Sequence, residues 1–438
     1  MDFPDLDALL KFMQSLGAGR VLCKQLAEND NSKQQIYLGG SFDVLKLLPF
    51  QQIRDEPGIK RPNFKAGLHL NWISPTGAVE PALGAQLILY PDYPEVRLSG
   101  FLRGCSLAPS AMMQPVPRDQ RKHNNGPDGR VLFLGTGPGG QVFAFLAARG
   151  TAVAKEVEDI LARGAAETIG VFHELRLGST APRALLINRL RAIHKSGWHA
   201  SRRLNSKGES MPYAAQNGGG YTLEALLGVR PNSEAGPDFM GWEVKAFGQD
   251  RITLMTPEPD SGFYGKHGVE AFLRKYGRPI RGDTIYFTGT HKVGVVCPAS
   301  RQTLQISGFD ATTSKMVNVT GGIQLVDGRG VVSAMWTFAG LIAHWGRKHM
   351  AAAYVPYTKR MSALMPQYMY ESPALLGEET EFARFLLALS RGQVIYDPGS
   401  KIEHVDDVKS RVKARSQFRI SIRHLSELYA KFEAVQLD

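Results

Sequence analysis

Near residue 150 the apolar residues change from the two-residue period of strands to the three-to-four-residue period of helices, so one uniform architecture cannot hold the whole chain. Before that point the runs QQIYLGG, KAGLHLNWIS, AQLILY, EVRLSGFL, RVLFLG and QVFAFLA are rich in branched and aromatic residues and end at Gly, Pro, Asn or Asp turns. One helix, Leu6 to Leu16, precedes them. From Thr151 onward AVAKEVEDILARGA and APRALLINRLRAIHKSG carry helical spacing. Strands (ITLMT, TIYFTG, VGVVCP, GIQLVDG) then mix with helices (VEAFLRKYG, TFAGLIAHWGRKHMAAAY, EETEFARFLLALSRG, ISIRHLSELYAKFEAV). The pattern predicts a β-rich module over residues 1–160 and an α/β domain over 161–438, with the boundary between 150 and 165. There is no internal repeat.

A length of 438 residues is enough for two or three domains, and 43% hydrophobic with 21% charged residues excludes a disordered, collagen-like or coiled-coil chain. Cys23, Cys105 and Cys297 lie far apart without CxxC or CxxH neighbours, so neither a disulfide framework nor a structural zinc site is expected. A reducing cytosol fits. No apolar stretch reaches the roughly 18 to 20 residues of a membrane span, and the acidic start MDFPDLDALLKF is unlike an export signal. The net charge of +11 is uneven: residues 1–160 hold 17 Lys+Arg against 16 Asp+Glu, leaving 35 against 25 beyond. A basic excess of this kind points to a polyanionic partner, because neutralised phosphates release condensed counterions.

The segment NGGGYTLEALLGVRPNSEAGPDFMGWEVKAFG, Asn217 to Gly248, concentrates the chemistry. It joins a Gly turn (Gly218 to Gly220), a short amphipathic helix with Glu224, a polar loop, Asp238 after Pro237, and the strand Trp242 to Phe247. Alternation along a strand places Glu243 and Lys245 on one face and Trp242, Val244 and Ala246 on the other. Phosphodiester hydrolysis needs Mg²⁺ on hard oxygen ligands, an activated water and neutralised charge. Asp238, Glu243 and the Val244 carbonyl supply such oxygens, Lys245 suits the water or the transition state, and Glu224 suits a second carboxylate role. The acid-x-Lys spacing alone is common; Asp407-Val408-Lys409 repeats it inside the charged run EHVDDVKSRVK, which reads as a solvated face. An exposed Glu/Lys pair on an ordinary strand is the plain alternative at Glu243.

The block GGGYTLEALLG with PNSEAGPDFMGWEVK resembles the active-site block of the MvaI/BcnI-type restriction endonucleases, which are similar to the nicking repair enzyme MutH and share the PD-(D/E)xK pattern. The likeness extends through ALLINRLRAIHKSGW, TIYFTGTHKVG and AHWGRKHMAAAYV, over roughly residues 165 to 360. It implies a restriction-endonuclease-like core, a mixed sheet flanked by helices, cutting double-stranded DNA with Mg²⁺ as monomer or dimer, with a cognate methyltransferase as partner in the same system. By that resemblance Asp238 and Glu243 bind the metal, Lys245 is the catalytic lysine and Glu224 the auxiliary acid. Residues 1–160 lie outside it and are read as a recognition or effector module. A strand-nicking repair enzyme and a non-catalytic DNA-binding protein are the alternatives.

Other positions are candidate DNA contacts. Arg118, Arg121, Lys122 and His123 sit in the Pro/Asn-rich stretch Pro109 to Gly129, read as an exposed loop. His291 and Lys292 follow TIYFTGT on a Gly-flanked turn. Arg347 and Lys348 lie on a helix beside Trp345, read as core. Lys409, Arg411, Lys413, Arg415, Arg419 and Arg423 form a basic tail. Gly135, Gly137 and Gly140 match GxGxxG. A dinucleotide site needs a βαβ unit there, and the flanking runs favour a hairpin.

Overall fold

Asp5 opens the first helix, its carboxylate accepting from Ala8 N at 2.7 Å, and Leu6, Leu9 and Met13 then fall on one buried face of α1 (Leu6–Ser15). The computed structural model describes residues 2–28, 35–93, 95–117, 120, 126–137, 139–175, 182–229, 239, 241–349, 351–362, 365–404 and 410–438. The chain divides into two compact units, Met1–Ser179 and Thr180–Asp438.

In the first unit a seven-stranded sheet runs in the order Glu167–Ile169, Phe172–Leu175, Arg20–Ala27, Pro127–Thr136, Gln141–Ala147, His69–Ile73, Val79–Pro81. A five-stranded sheet runs Gln35–Gly39, Glu95–Ser99, Gln86–Tyr90, Asn63–Gly67, Ile53–Glu56. The helix α2 (Ala152–Ala162), where the helical period begins, belongs to this unit: Val153, Ala154 and Val157 pack with Leu9, Met13, Val21, Phe133 and Phe145. The unit extends past residue 160, and the apolar face of α2 is buried against the first sheet and α1. The glycine motif lies between two antiparallel neighbours, with Thr136 opposite Val142 and Val131 opposite Ala147. The flanking strands form a hairpin, as expected, and among the described residues no βαβ unit surrounds it.

The second unit mixes α3 (Pro182–Lys195), α4 (Gly218–Leu227), α5 (Gly262–Tyr276), α6 (Phe338–Lys348) and α7 (Phe382–Ser390) with several sheets. The largest orders Trp198–Ala200, Met365–Tyr370, Ala351–Ser362, Ala374–Thr380 and Tyr429–Val435, with Glu243–Phe247 pairing parallel to Ala351–Ser362. The architecture is mixed α/β, as the sequence predicts. One layer of its core joins Leu186, Leu190, Leu223 and Leu227 of α3 and α4 to Trp242, Val244, Ala353, Val355, Tyr368 and Tyr370 of the sheet. Among the described residues no helix is long and apolar enough to cross a membrane.

Three local expectations fail, each for a non-local reason. The helix expected over TFAGLIAHWGRKHMAAAY stops at Lys348, and Ala351–Ser362 is a strand with Ala352, Ala353, Tyr354 and Val355 fully buried. Alanine favours helix when exposed, but pairing on both sides of a central strand outweighs that preference. In ISIRHLSELYAKFEAV only Ile422–Leu428 is helical, as a 3-10 turn; Tyr429–Val435 pairs with Ala374–Thr380. VGVVCP makes isolated bridges, Val293 to Leu304 and Val296 to Thr303, and leaves Val295 and Val296 exposed.

Candidate active site

The strand Glu243–Phe247 forms because Trp242, Val244 and Ala246 face the α3 and α4 layer while Glu243 and Lys245 take the opposite face. On that face Lys245 Nζ lies 2.7 Å from Glu243 Oε1, with side-chain exposures of 18% and 6%. The other carboxylate oxygen, Glu243 Oε2, is buried and accepts no hydrogen bond among the described residues. In the parallel register Ala352 stands beside Glu243 and Tyr354 beside Lys245. Tyr354 Oη is 2.7 Å from Tyr429 Oη, and both phenols are fully buried. Burial, and after it the Glu243 charge for Tyr354 and the Tyr354 partner for Tyr429, raise both phenols above their ordinary range, so the pair stays neutral. Sequence reasoning missed this pair because AAAYV and ELYAKFEAV carry helical spacing.

Glu224 is half-buried on α4, the helix that packs against the Glu243–Phe247 strand. Its glycines explain how α4 comes so close. A Cβ at Gly218 would meet Tyr368 Oη at 2.6 Å and Ser201 Oγ at 2.7 Å, and one at Gly219 would meet ring carbons of Tyr357 at 2.7 Å. The Gly219 carbonyl accepts from Tyr370 Oη at 2.6 Å, fixing the start of the helix. At Gly220 nothing lies within 4 Å. Gly219→Ala is therefore expected to lower stability by about 1–3 kcal/mol through overpacking, whereas Gly220→Ala is neutral or stabilising by up to about 1 kcal/mol. Chemical denaturation of the two variants checks this, and equal midpoints would mean that Tyr357 yields freely.

Asp238, Arg118, Arg121 and Lys122, and the Asp407-Val408-Lys409 repeat of the motif, lie outside the described residues. Arg347 and Lys348 fall at the end of α6, whose Trp345 is buried and stacked on His349 at 4.2 Å. Lys292 and Arg415 are exposed. His291 is not a surface residue. It is fully buried, its ring stacks on Phe287 at 5.8 Å, and Nε2 lies 2.7 Å from Ser300 Oγ. Burial holds its pKa below the usual histidine value, so the expected DNA contact is corrected to a neutral core residue. Arg419 donates through Nη1 to Asp397 Oδ2 at 2.8 Å and through Nη2 to the Arg251 carbonyl at 3.3 Å. Its charge is partly met inside the protein by Asp397.

The sequence pattern of the MvaI/BcnI restriction endonuclease family matches residues 187–429, from within α3 to the start of the last strand. The chain belongs to the MvaI/BcnI restriction endonuclease family. It is thereby a DNA endonuclease by family, and the match contains α4, the Glu243–Phe247 strand and its partner Ala351–Ser362. The unit Met1–Ser179 lies outside it. Among solved structures, restriction endonuclease MvaI with its cognate DNA substrate is similar at 18% identity and a TM-score of 0.45, covering 59% of this chain and 99% of that one. MvaI in the absence of DNA aligns at 16% identity and a TM-score of 0.34, covering 59% and 100%. No curated protein matches the chain.

Proposed function

We propose that this chain is a Mg²⁺-dependent, site-specific endonuclease that hydrolyses phosphodiester bonds of double-stranded DNA in the restriction of foreign DNA. The observation that carries this reading is the Glu243 carboxylate, buried with one oxygen on Lys245 and the other without a partner. A lone buried carboxylate oxygen is unfavourable unless a cation meets it, and a hard divalent ion suits that donor. Among the described residues no three acidic, His or Cys side chains gather as a metal cluster. The fit therefore rests on Glu243 together with Asp238 and the Val244 carbonyl, which would hold Mg²⁺, with Glu224 as auxiliary acid. When bound, the ion supplies polarisation of the scissile phosphate and a more acidic water.

Lys245 does the remaining work through its ammonium. Glu243 holds Nζ at 2.7 Å, which leaves N–H groups to orient the attacking water and to stabilise charge on a phosphate oxygen. The hydrophobic backing of Trp242 and Val244 keeps the strand, and so Nζ, from drifting. The ten excess cations beyond residue 160 support polyanion binding. We assign Met1–Ser179 the role of recognition or effector module, the cytoplasm as setting, a cognate methyltransferase as partner in the same system, and a monomer or dimer as the acting species.

The test is incubation with phage-sized duplex DNA in Mg²⁺ or EDTA. Discrete fragments formed only with Mg²⁺ are expected. Nicks confined to one strand would select the repair-type alternative, and intact DNA that the protein nonetheless binds would overturn catalysis in favour of a binding protein.

A further inference from the structure

The strand beside Glu243–Phe247 continues past the end of that pairing. Ala352 to Pro356 pair with Glu243 to Phe247, and Tyr357 to Ser362 run on as one arm of a hairpin with Met365–Tyr370. Residues an even number apart on a strand share a face. Tyr354 stands beside Lys245, so Thr358 and Arg360 follow on the Lys245 face. The neighbouring strands place Gln367 opposite Arg360, Met369 opposite Thr358, and Trp198 opposite Met369.

Arg360 is exposed yet fixed. Its guanidinium carbon lies 4.1 Å from the centroid of the Trp198 ring, and Nε donates to Gln367 Oε1 at 2.8 Å. Among the described residues no carboxylate pairs with it. A guanidinium held by one flat face and its Nε edge presents the Nη1/Nη2 fork outward, the geometry that takes a phosphate bidentately. Six residues at roughly 3.3 Å each carry it about 20 Å beyond Tyr354, about six nucleotide steps of roughly 3.4 Å along a duplex.

We propose that Arg360, stacked on Trp198, is a second backbone anchor for double-stranded DNA laid across the Glu243–Lys245 face. It grips a phosphate about six base pairs from the bond to be cut and so sets the position of the duplex over that bond. The inference rests on the reading of that face as the cutting site.

Lys359 supplies the comparison. It is an exposed cation one residue away, but its register partner is Tyr368, whose ring packs in the α3 and α4 layer, so it projects from the opposite face. The experiment measures binding of a fluorescent 30-base-pair duplex to the full chain in EDTA over a salt series, with thermal melts as the folding check. Arg360→Ala is expected to weaken binding roughly tenfold and lower the salt slope by about one, uniformly across sequences. Arg360→Lys should recover only part, and Lys359→Ala should stay within about twofold of wild type. Equal losses at Lys359 and Arg360, or no loss at Arg360, would overturn the proposal. Cutting by the Arg360→Ala variant at saturating DNA separates the two readings: wild-type cutting with no binding defect sinks the anchor alone, while DNA bound but never cut by wild type sinks the catalytic reading alone.

Discussion

Lys245→Ala is expected to slow Mg²⁺-dependent cutting by roughly a thousandfold or more at saturating DNA, the scale of removing a positioned acid, base or charge donor from a transition state. Each tenfold corresponds to about 1.4 kcal/mol of barrier. Nζ is the cation that the Glu243 carboxylate holds on this face, at 2.7 Å, and the side chain is largely enclosed, so bulk solvent does not replace it. Its loss also leaves Glu243, with its second oxygen already unpartnered, without a counter-ion, and stability should fall by about 1–3 kcal/mol. Duplex binding should persist, since one charge among many is removed. Single-turnover cleavage rates and duplex anisotropy, measured on the same preparations, check both halves. A variant that still cuts within about tenfold of wild type would remove Lys245 from the chemistry. Lys245→Arg should rescue poorly, because a planar fork does not reproduce a compact ammonium seated against one carboxylate oxygen.

Trp336→Ala is expected to give the largest loss of stability, about 3–5 kcal/mol. Trp336 is buried at the centre of a ring cluster, with centroids 4.7 Å from Tyr396 and 5.3 Å from Phe418, and it is fully enclosed. Its Nε1 donates to the Pro257 carbonyl at 2.9 Å, so truncation both opens a cavity and orphans a buried acceptor. Trp336→Phe keeps ring contacts and should lose less. Urea unfolding followed by the loss of DNA cutting reports on the second unit; a shift below about 1 kcal/mol would show that the cluster repacks around the hole. Residual folded Trp336→Ala protein should cut at the wild-type rate per folded molecule, which separates this core effect from the Lys245 effect.

Much of the candidate site was legible in sequence because strand parity is a local rule. Trp242-Glu243-Val244-Lys245 could be sorted onto two faces from alternation alone, and those faces are the ones observed. The same holds for the glycine motif at Gly135 to Gly140, whose flanking branched runs required a hairpin, and for the glycine-led helix carrying Glu224. His291 and Arg419 were not legible, since a Gly-flanked turn and a basic tail look solvent-facing until Tyr396 packs against the His291 ring and Asp397 pairs with Arg419.

Sequence by itself determined the strand and helix periods of most segments and the pairing of an acid and a lysine on one strand face, both of which depend on neighbours a few residues apart. Tertiary structure decided that Ala351–Ser362 is a strand, that Tyr354 on it meets Tyr429, and that Arg360 shares a face with Lys245. These outcomes turn on burial and pairing between residues tens to hundreds of positions apart, and such contacts outweigh local preferences of a few tenths of a kcal/mol per residue.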